Sequence, residues 1–396
     1  MAARYIAVHA LQAVPASLLN RGEDNEPKTL KIGNTTRTML SSQSLKRPLR
    51  LDLEEQLDEH AARTRMVPLR VADALREAGW PNDLATFAGA QIALCASSEG
   101  LKTDPQQGGL TLAMLYLPRD VINDLTALCQ EHRATLEAAA TRQTTTTPQQ
   151  VKGRRKKTDD IDAKPLPTRE VAALLRQRTA TINLFGRMLA EIPGANVEAA
   201  VQMAPAFTTH TSHPTPSFFT AVDDWPTPGA SGSAHMQTEF LTTGVFYRYA
   251  TVNLTELLHN LNGDQDQARQ LLALFIESFI LSLPKAKHTS TAPHTLPSLV
   301  HYAVRDRRPV SYAAAFDQPV KATQTGGHLQ PSLHALSAHA AALNRLLGTR
   351  HLIAHGHATT NDTPADHLGN HHRSYDELID ACTAAAMTTA PQAAPA

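Results

Sequence analysis

The residues from Ser41 to Arg50 combine the side chains that bind phosphate groups. They read Ser-Ser-Gln-Ser-Leu-Lys-Arg-Pro-Leu-Arg, with three cations, three hydroxyls and one amide. Hydroxyls and amides bond to phosphate oxygens, and Lys and Arg neutralise the phosphate charge. A helix beginning near Ser42 or Ser44 adds free backbone N–H groups and the positive end of its dipole. Pro48 is expected to limit the regular length of this helix or to kink it. The run predicts contact with a nucleic-acid backbone, and a capped surface helix with solvated charges is the alternative.

The charge around this run is locally positive, although the chain as a whole is neutral. Residues 21–50 hold seven cations and three acidic residues, a net charge of +4. The whole chain has 37 Lys and Arg residues and 37 Asp and Glu residues, so no global positive field indicates a polyanion partner. The local excess is sufficient for a phosphate contact.

The sequence holds no common catalytic motif. It contains no Gly-x-x-x-x-Gly-Lys phosphate loop, no Gly-x-Ser-x-Gly elbow, no Cys-x-x-Cys and no His-Glu-x-x-His. Asp223 and Asp224 could bind a divalent metal, and His351 and His355 could share a helix face and a Zn²⁺ ion. Turn capping and polar surface histidines explain these residues more simply. We therefore predict no enzyme activity, no metal and no cofactor, and a metal-dependent hydrolase using Asp223, Asp224 and the C-terminal histidines is the alternative.

The cysteines and the composition indicate a cytoplasmic globular protein. Of the 396 residues, 42% are hydrophobic and 19% are charged, as in ordinary globular proteins. Cys95, Cys129 and Cys382 are far apart and odd in number, which argues against a disulfide framework and favours a reducing compartment. No apolar run is long enough to span a bilayer, so we expect no membrane partner.

The hydrophobic patterns predict an α+β protein in which these residues are positioned by both strands and helices. Strands are predicted at Tyr5 to Leu11, ended by Pro15, and at Gly244 to Val252. Helices are predicted within 51–138, after the capping residue Asn253, over 264–283 and over 332–347. Strands and helices interrupted by long insertions fit an α+β sandwich better than a doubly wound sheet.

Three segments have unusual composition. Residues 141–167 include four consecutive threonines and five cations within 152–157, which predicts a mobile loop; a weak nucleic-acid contact is the alternative. Residues 205–243 are rich in proline yet keep Phe218, Phe219 and Trp225, so we predict a functional loop rather than a linker. Residues 384–396 are rich in Ala, Thr, Pro and Gln, which predicts a disordered tail.

Taken together, these features resemble the CasC family, the repeated backbone subunit of the type I-E CRISPR surveillance complex called Cascade. The resemblance lies in short motifs between residues 19 and 332. These are Leu19-Asn20-Arg21, Ser41 to Arg47, Gly186-Arg187-Met188, Thr208-Thr209-His210, Phe219 to Asp224, Gly232 to His235, Gly244 to Tyr249 and Leu329 to Ser332.

The resemblance implies an RRM-like (ferredoxin-like) palm, a helical fingers insertion and an extended thumb loop or hairpin. The implied segments are 1–50 and 244–347 for the palm, 181–204 for palm or web, 51–180 for the fingers, 205–243 for the thumb and 348–383 for a C-terminal extension. Copies are expected to stack head to tail on the CRISPR guide RNA, and the guide then pairs with target DNA. Other expected partners are the large and small Cascade subunits and the two RNA-end subunits.

The resemblance also implies the residues that bind RNA. Those expected on the RNA backbone are Arg21, Lys28, Ser41, Gln43, Lys46, Arg47, Arg50 and Lys287. Those expected against displaced bases are Met188 and Phe219, with Phe218 and Thr220 beside them. Pro48 and His288 depart from the family pattern, and the His-rich segment 350–372 has no counterpart there. A monomeric binder of single-stranded RNA is a further alternative.

Overall fold

The computed structural model describes residues 2–145, 164–222, 224–225, 233–361 and 365–390. The chain forms two compact units, one of residues 1–53 and 200–396 and one of residues 54–199. Both helices and strands are present, so the predicted α+β class is confirmed. Among the described residues, no helix has the length and apolar character needed to cross a membrane.

The strands are β1 (Tyr5–Ser17), β2 (Thr29–Ile32), β3 (Thr35–Leu40), β4 (Ala61–Thr64), β5 (Thr103–Asp104), β6 (Leu110–Thr111), β7 (Leu115–Pro118), β8 (Val201–Met203), β9 (Ala206–Thr208), β10 (Thr215–Val222), β11 (Ser233–Asn253), β12 (Leu299–Arg305), β13 (Leu352–Thr359) and β14 (Asn370–His371). The helices are α1 (Ser42–Leu57), α2 (Val67–Glu77), α3 (Asn82–Cys95), α4 (Val121–Glu131), α5 (Arg133–Thr145), α6 (Thr168–Arg176), α7 (Ala180–Phe185), α8 (Leu254–Asn260), α9 (Gln265–Leu281), α10 (His288–Thr291), α11 (Leu329–Leu347) and α12 (Tyr375–Thr388).

The first unit is built on a sheet with the strand order β14-β13-β12-β1-β11-β9-β3-β2, and β8 and β10 also pair with β11. Alternate residues of the central strands face opposite sides, so each side carries its own core. On one side Leu11 and Tyr247 pack in a cluster with Leu336 of α11. On the other side the buried Arg248 donates hydrogen bonds to the Gln12 side chain (2.6 Å) and to carbonyl oxygens at the end of α9.

A row of aromatic side chains crosses five neighbouring strands in register. The row consists of Tyr249, His9, His301, His357 and His371. His9 and His301 are fully buried, and burial lowers the pKa of His301 to about 3. Burial also lowers the pKa of His9, with repulsion from His301 and Arg305 adding to the effect. The centre of this sheet therefore holds neutral imidazoles.

Two proline predictions and the predicted tail are corrected by the structure. Pro15 does not end β1, because the pairing with β11 shifts register between Val14 and Ser17 and the bulge accommodates a residue without an N–H. Pro48 does not shorten α1, which continues to Leu57. The predicted tail begins too early, because α12 continues to Thr388, and residues 391–396 lie outside the described residues. The C-terminal extension predicted at 348–383 includes β13, which pairs with β12 in the sheet.

The second unit carries α2 to α7 and two short strand pairs, β4–β7 and β5–β6. Its core includes one residue from each of four helices, namely Val71 of α2, Ile92 of α3, Leu125 of α4 and Leu175 of α6. The predicted helical character of this region is confirmed, and the strand pairs were not predicted. Of the loop predicted at 141–167, the first residues belong to α5, and residues 146–163 lie outside the described residues.

Candidate nucleic-acid interface

The start of α1 is organised by Ser41 and Asn20. The Ser41 Oγ accepts a hydrogen bond from the Ser44 N–H at 3.2 Å, which is the geometry of a helix N-cap. The Asn20 Oδ1 accepts from the Ser41 N–H at 2.8 Å, and the Asn20 carbonyl accepts from the Lys28 N–H at 2.8 Å. These bonds hold the loop that carries Arg21 and Lys28 against the helix start, and they confirm the helix predicted to begin near Ser42.

A pocket of about 630 Å³ opens beside this helix start. Its lining includes three cations, Arg21, Arg47 and Lys285, and one acidic residue, Glu23. The Arg21 guanidinium donates to the Asn25 Oδ1 at 2.7 Å, and Arg21 is exposed. A concave site with an excess of cations next to a helix N-terminus can hold a phosphodiester.

The predicted phosphate-binding residues of α1 differ in their exposure. Gln43 and Arg47 are exposed, and Lys46 is half-buried. Arg50 is a correction, because its side chain is only 8% exposed and its cation is not presented at the surface as predicted. Lys28 is exposed in the neighbouring loop.

Lys287 connects this pocket to the strand pair β10–β11. Its Nζ lies 2.6 Å from the Oε2 of Glu239 on β11, and its backbone has φ 57°, in the left-handed region. Lys285, two residues earlier, lines the pocket. Lys287 is therefore engaged with a carboxylate in the free chain, and a phosphate must share it with Glu239 or displace Glu239.

The strands β10 and β11 pair antiparallel from Thr215–Leu241 onwards and form a hairpin, which we call the arm. Phe219 pairs with Gln237, and Phe218 pairs with Thr238. Since neighbouring residues of a strand face opposite sides, Phe219 shares one face with Glu239, and Phe218 and Thr220 share the other with Met236. The exposed fraction is 65% for Phe218 and 38% for Phe219. The two phenylalanines, predicted to act side by side, thus cannot contact the same base from one face.

Met188 lies in the second unit on a rigid turn, and its side chain is 87% exposed. Gly186 precedes it with φ +77°, and a Cβ there would lie 2.9 Å from the Ala199 N. The buried Arg187 guanidinium donates to several carbonyl oxygens, among them those of Ala195 (2.8 Å) and Gln177 (2.8 Å). Burial lowers the pKa of Arg187 to about 10, which keeps it cationic at neutral pH. The turn presents an exposed methionine on a fixed backbone.

The residues considered for a metal site are not arranged as that alternative requires. His355 lies in β13 and His351 in the turn before it, so they do not share the helix face that the metal alternative requires. Within the part of the chain that the structure describes, no group of three or more His, Cys, Asp or Glu residues could hold a metal ion. Asp224 is exposed, and Asp223 lies outside the described residues.

Sequence reasoning missed Lys285 in the pocket and Glu239 beside Lys287. Lys285 had a weak signal, since it follows the long helix α9 and precedes Lys287 by two residues. No signal in the sequence pointed to Glu239, because its ion pair with Lys287 joins residues 48 positions apart through the tertiary fold.

Comparison with known proteins gives consistent matches over nearly the whole chain. The family described as CT1975-like protein matches residues 6–381. A chain of a structure described as "CRISPR RNA-guided surveillance complex, pre-nicking" is 38% identical, with a TM-score of 0.86, and the match covers 96% of this chain and 100% of that chain. A chain of a second "CRISPR RNA-guided surveillance complex" is 34% identical, with a TM-score of 0.76, and the match covers 96% and 99%. No curated protein shows a significant match.

Proposed function

Since the chain belongs to the CT1975-like family of CasC-type Cascade backbone proteins, we propose that it is a non-catalytic, RNA-binding backbone subunit of a type I-E surveillance complex. Copies polymerise along the CRISPR guide RNA and present it for base pairing with target DNA. The large, small and RNA-end subunits complete the complex, and the three unpaired cysteines support a cytoplasmic location.

The observation that carries this proposal is the agreement between the matches and the pocket beside α1. Both similar structures belong to RNA-guided complexes and are matched over 99–100% of their length. The pocket combines Arg21, Arg47 and Lys285 with the N-terminus of α1. Such a site grips a phosphodiester without reading bases, which is what a scaffold for guides of any sequence requires.

The arm supplies the second kind of contact. Its exposed aromatic residues offer flat apolar faces, on which unstacked bases bind with little preference for sequence. Phe219 faces the same side of the arm as Glu239, which is paired with Lys287 next to the pocket. We therefore propose that the pocket and the arm contact one polynucleotide strand.

Co-purification tests the proposal directly. The full chain is expressed together with a CRISPR array, purified, and the bound nucleic acid is sequenced. We expect guide RNA and a large RNA-dependent assembly in size-exclusion chromatography. Random cellular RNA on a monomeric protein would instead support the simple single-strand binder, and a protein free of nucleic acid would contradict the proposal.

The two faces of the arm give a paired prediction. Phe219→Ala is expected to weaken target DNA capture by roughly 1–3 kcal/mol, the contribution of one stacked base, while guide RNA stays bound. The measurement is target affinity of the assembled complex, and Phe218→Ala, on the opposite face, is the matched control. An equal loss from both substitutions would contradict the assignment of Phe219 to the base-contacting face.

A further inference from the structure

The strand β11 changes partners where the arm leaves the sheet of the first unit. On the side away from β1 it pairs with β9 at Phe246–Thr208, and its pairing with β10 begins at Leu241–Thr215. Residues 242–245 of β11 therefore face residues 209–214, which belong to neither strand. On this edge the backbone groups of residues 242–245 need hydrogen-bond partners other than a strand.

Thr209 and His210 close this gap with bonds to a single residue of β11. The Thr209 N–H donates to the Val245 carbonyl at 2.8 Å. The Val245 N–H donates to the His210 Nε2 at 3.2 Å, and the His210 Nδ1 donates to the Thr211 carbonyl at 2.9 Å. The His210 imidazole thus accepts the hydrogen bond from the Val245 N–H that a carbonyl oxygen of a paired strand would otherwise accept.

The ring of His210 is itself held in place. It is 7% exposed and stacks on His328, with ring centroids 3.8 Å apart and an interplanar angle of 13°. Burial lowers the pKa of His210, and His328, Arg37 and His213 add like-charge repulsion, although the bond to Thr211 opposes the shift. The ring is therefore neutral at neutral pH, as an Nε2 acceptor must be.

Gly244 lets the two strands come this close. A Cβ at Gly244 would lie 2.7 Å from the Thr208 Cγ2, which is too close for a contact, and 3.0 Å from the His210 Nε2, which is unusually tight. A side chain at position 244 therefore requires the Thr208 methyl group, the His210 ring or β11 itself to shift. Gly244 and His210 are thus complementary parts of one joint.

We infer that His210 is the positioning residue that fixes the direction in which the arm leaves the sheet of the first unit. Gly244 provides the space for the His210 ring. The functional meaning of that direction rests on the proposed function, because the arm must meet the RNA strand held in the pocket beside α1. The joint itself is a property of the free chain and is testable without RNA.

The test measures the arm in the RNA-free protein. Spin labels are attached to cysteines introduced at Thr238 on the arm and Thr29 on β2, both exposed, and the native Cys95, Cys129 and Cys382 are buried and should not react. With His210→Ala we expect a broadened label-to-label distance distribution. We also expect hydrogen exchange at the Val245 amide to accelerate by roughly two- to tenfold, the factor for one lost hydrogen bond of ordinary strength.

His213→Ala is the matched control, since His213 is an exposed histidine three residues later. Gly244→Ala is the second variant, used because His210→Ala could destabilise the sheet, and it should shift the mean label distance while the ring is retained. Unchanged distances in both His210→Ala and Gly244→Ala would overturn the inference. If the distances change but guide RNA assembly does not, the joint stands and the proposed role of the arm fails.

Discussion

Exchanging Lys46 and Arg47 together for glutamate is expected to abolish RNA-dependent assembly and leave the fold intact. Hydrogen bonds to charged groups contribute about 1.5–3 kcal/mol each, so losing two should lower RNA affinity at least about a hundredfold. Both side chains reach the surface of α1, so the exchange leaves the core unchanged. The measurement is binding of guide RNA by the purified chain at several salt concentrations.

The salt dependence separates phosphate contacts from a general charge effect. Each lost contact to a single strand should reduce the slope of log affinity against log salt by about 0.7. The matched control is Arg307→Glu with Arg308→Glu, an exposed cationic pair that does not line the pocket. Arg50 is left unchanged because it is buried. Equal losses from the two pairs would mean that the cations of α1 have no special role in RNA binding.

The row of buried histidines should make the first unit sensitive to acid. The folded pKa values of His9 and His301 lie below the unfolded value of about 6.5, so folding excludes their protons. Their contribution to stability is present above pH 6.5 and is lost as the pH falls below it. For two such groups the free energy of unfolding should drop by about 4 kcal/mol between pH 7 and pH 5.

Denaturant unfolding at a series of pH values measures this loss. His301→Phe should be less stable than the parent at pH 7, because it loses the hydrogen bond to the Gly356 carbonyl, but should show a shallower pH dependence. His334→Phe, on the exposed side of α11, should show the same pH dependence of the free energy of unfolding as the parent protein. An unfolding free energy that stays constant from pH 7 to pH 5 would refute the role of the row.

Local signals in the sequence predicted the local parts of the fold. The helix start at Ser42 was predicted from its hydroxyls and is built by the Ser41 cap. The helix start at Asn253 was predicted from its spacing to Glu256, and the Asn253 side chain accepts from the Glu256 N–H at 3.3 Å. Such caps involve residues three apart, so a single sequence contains all the information they need.

The long-range parts were not predictable in the same way. Which face of the arm carries Phe219 depends on strand register, and a shift of one residue exchanges the faces. The burial of Arg50 and the pairing of Lys287 with Glu239 depend on packing between distant segments. The sequence pattern therefore identified most of the cations at the candidate site but not which of them reach the surface.

The continuity of β11 has a mechanical consequence. A single strand, Ser233–Asn253, forms half of the arm and also the neighbour of β1 at the centre of the sheet. A force applied to the described part of the arm is therefore transmitted along one backbone into the pairing of β11 with β1. The force that the arm can withstand is therefore limited by the stability of the sheet to which β11 belongs.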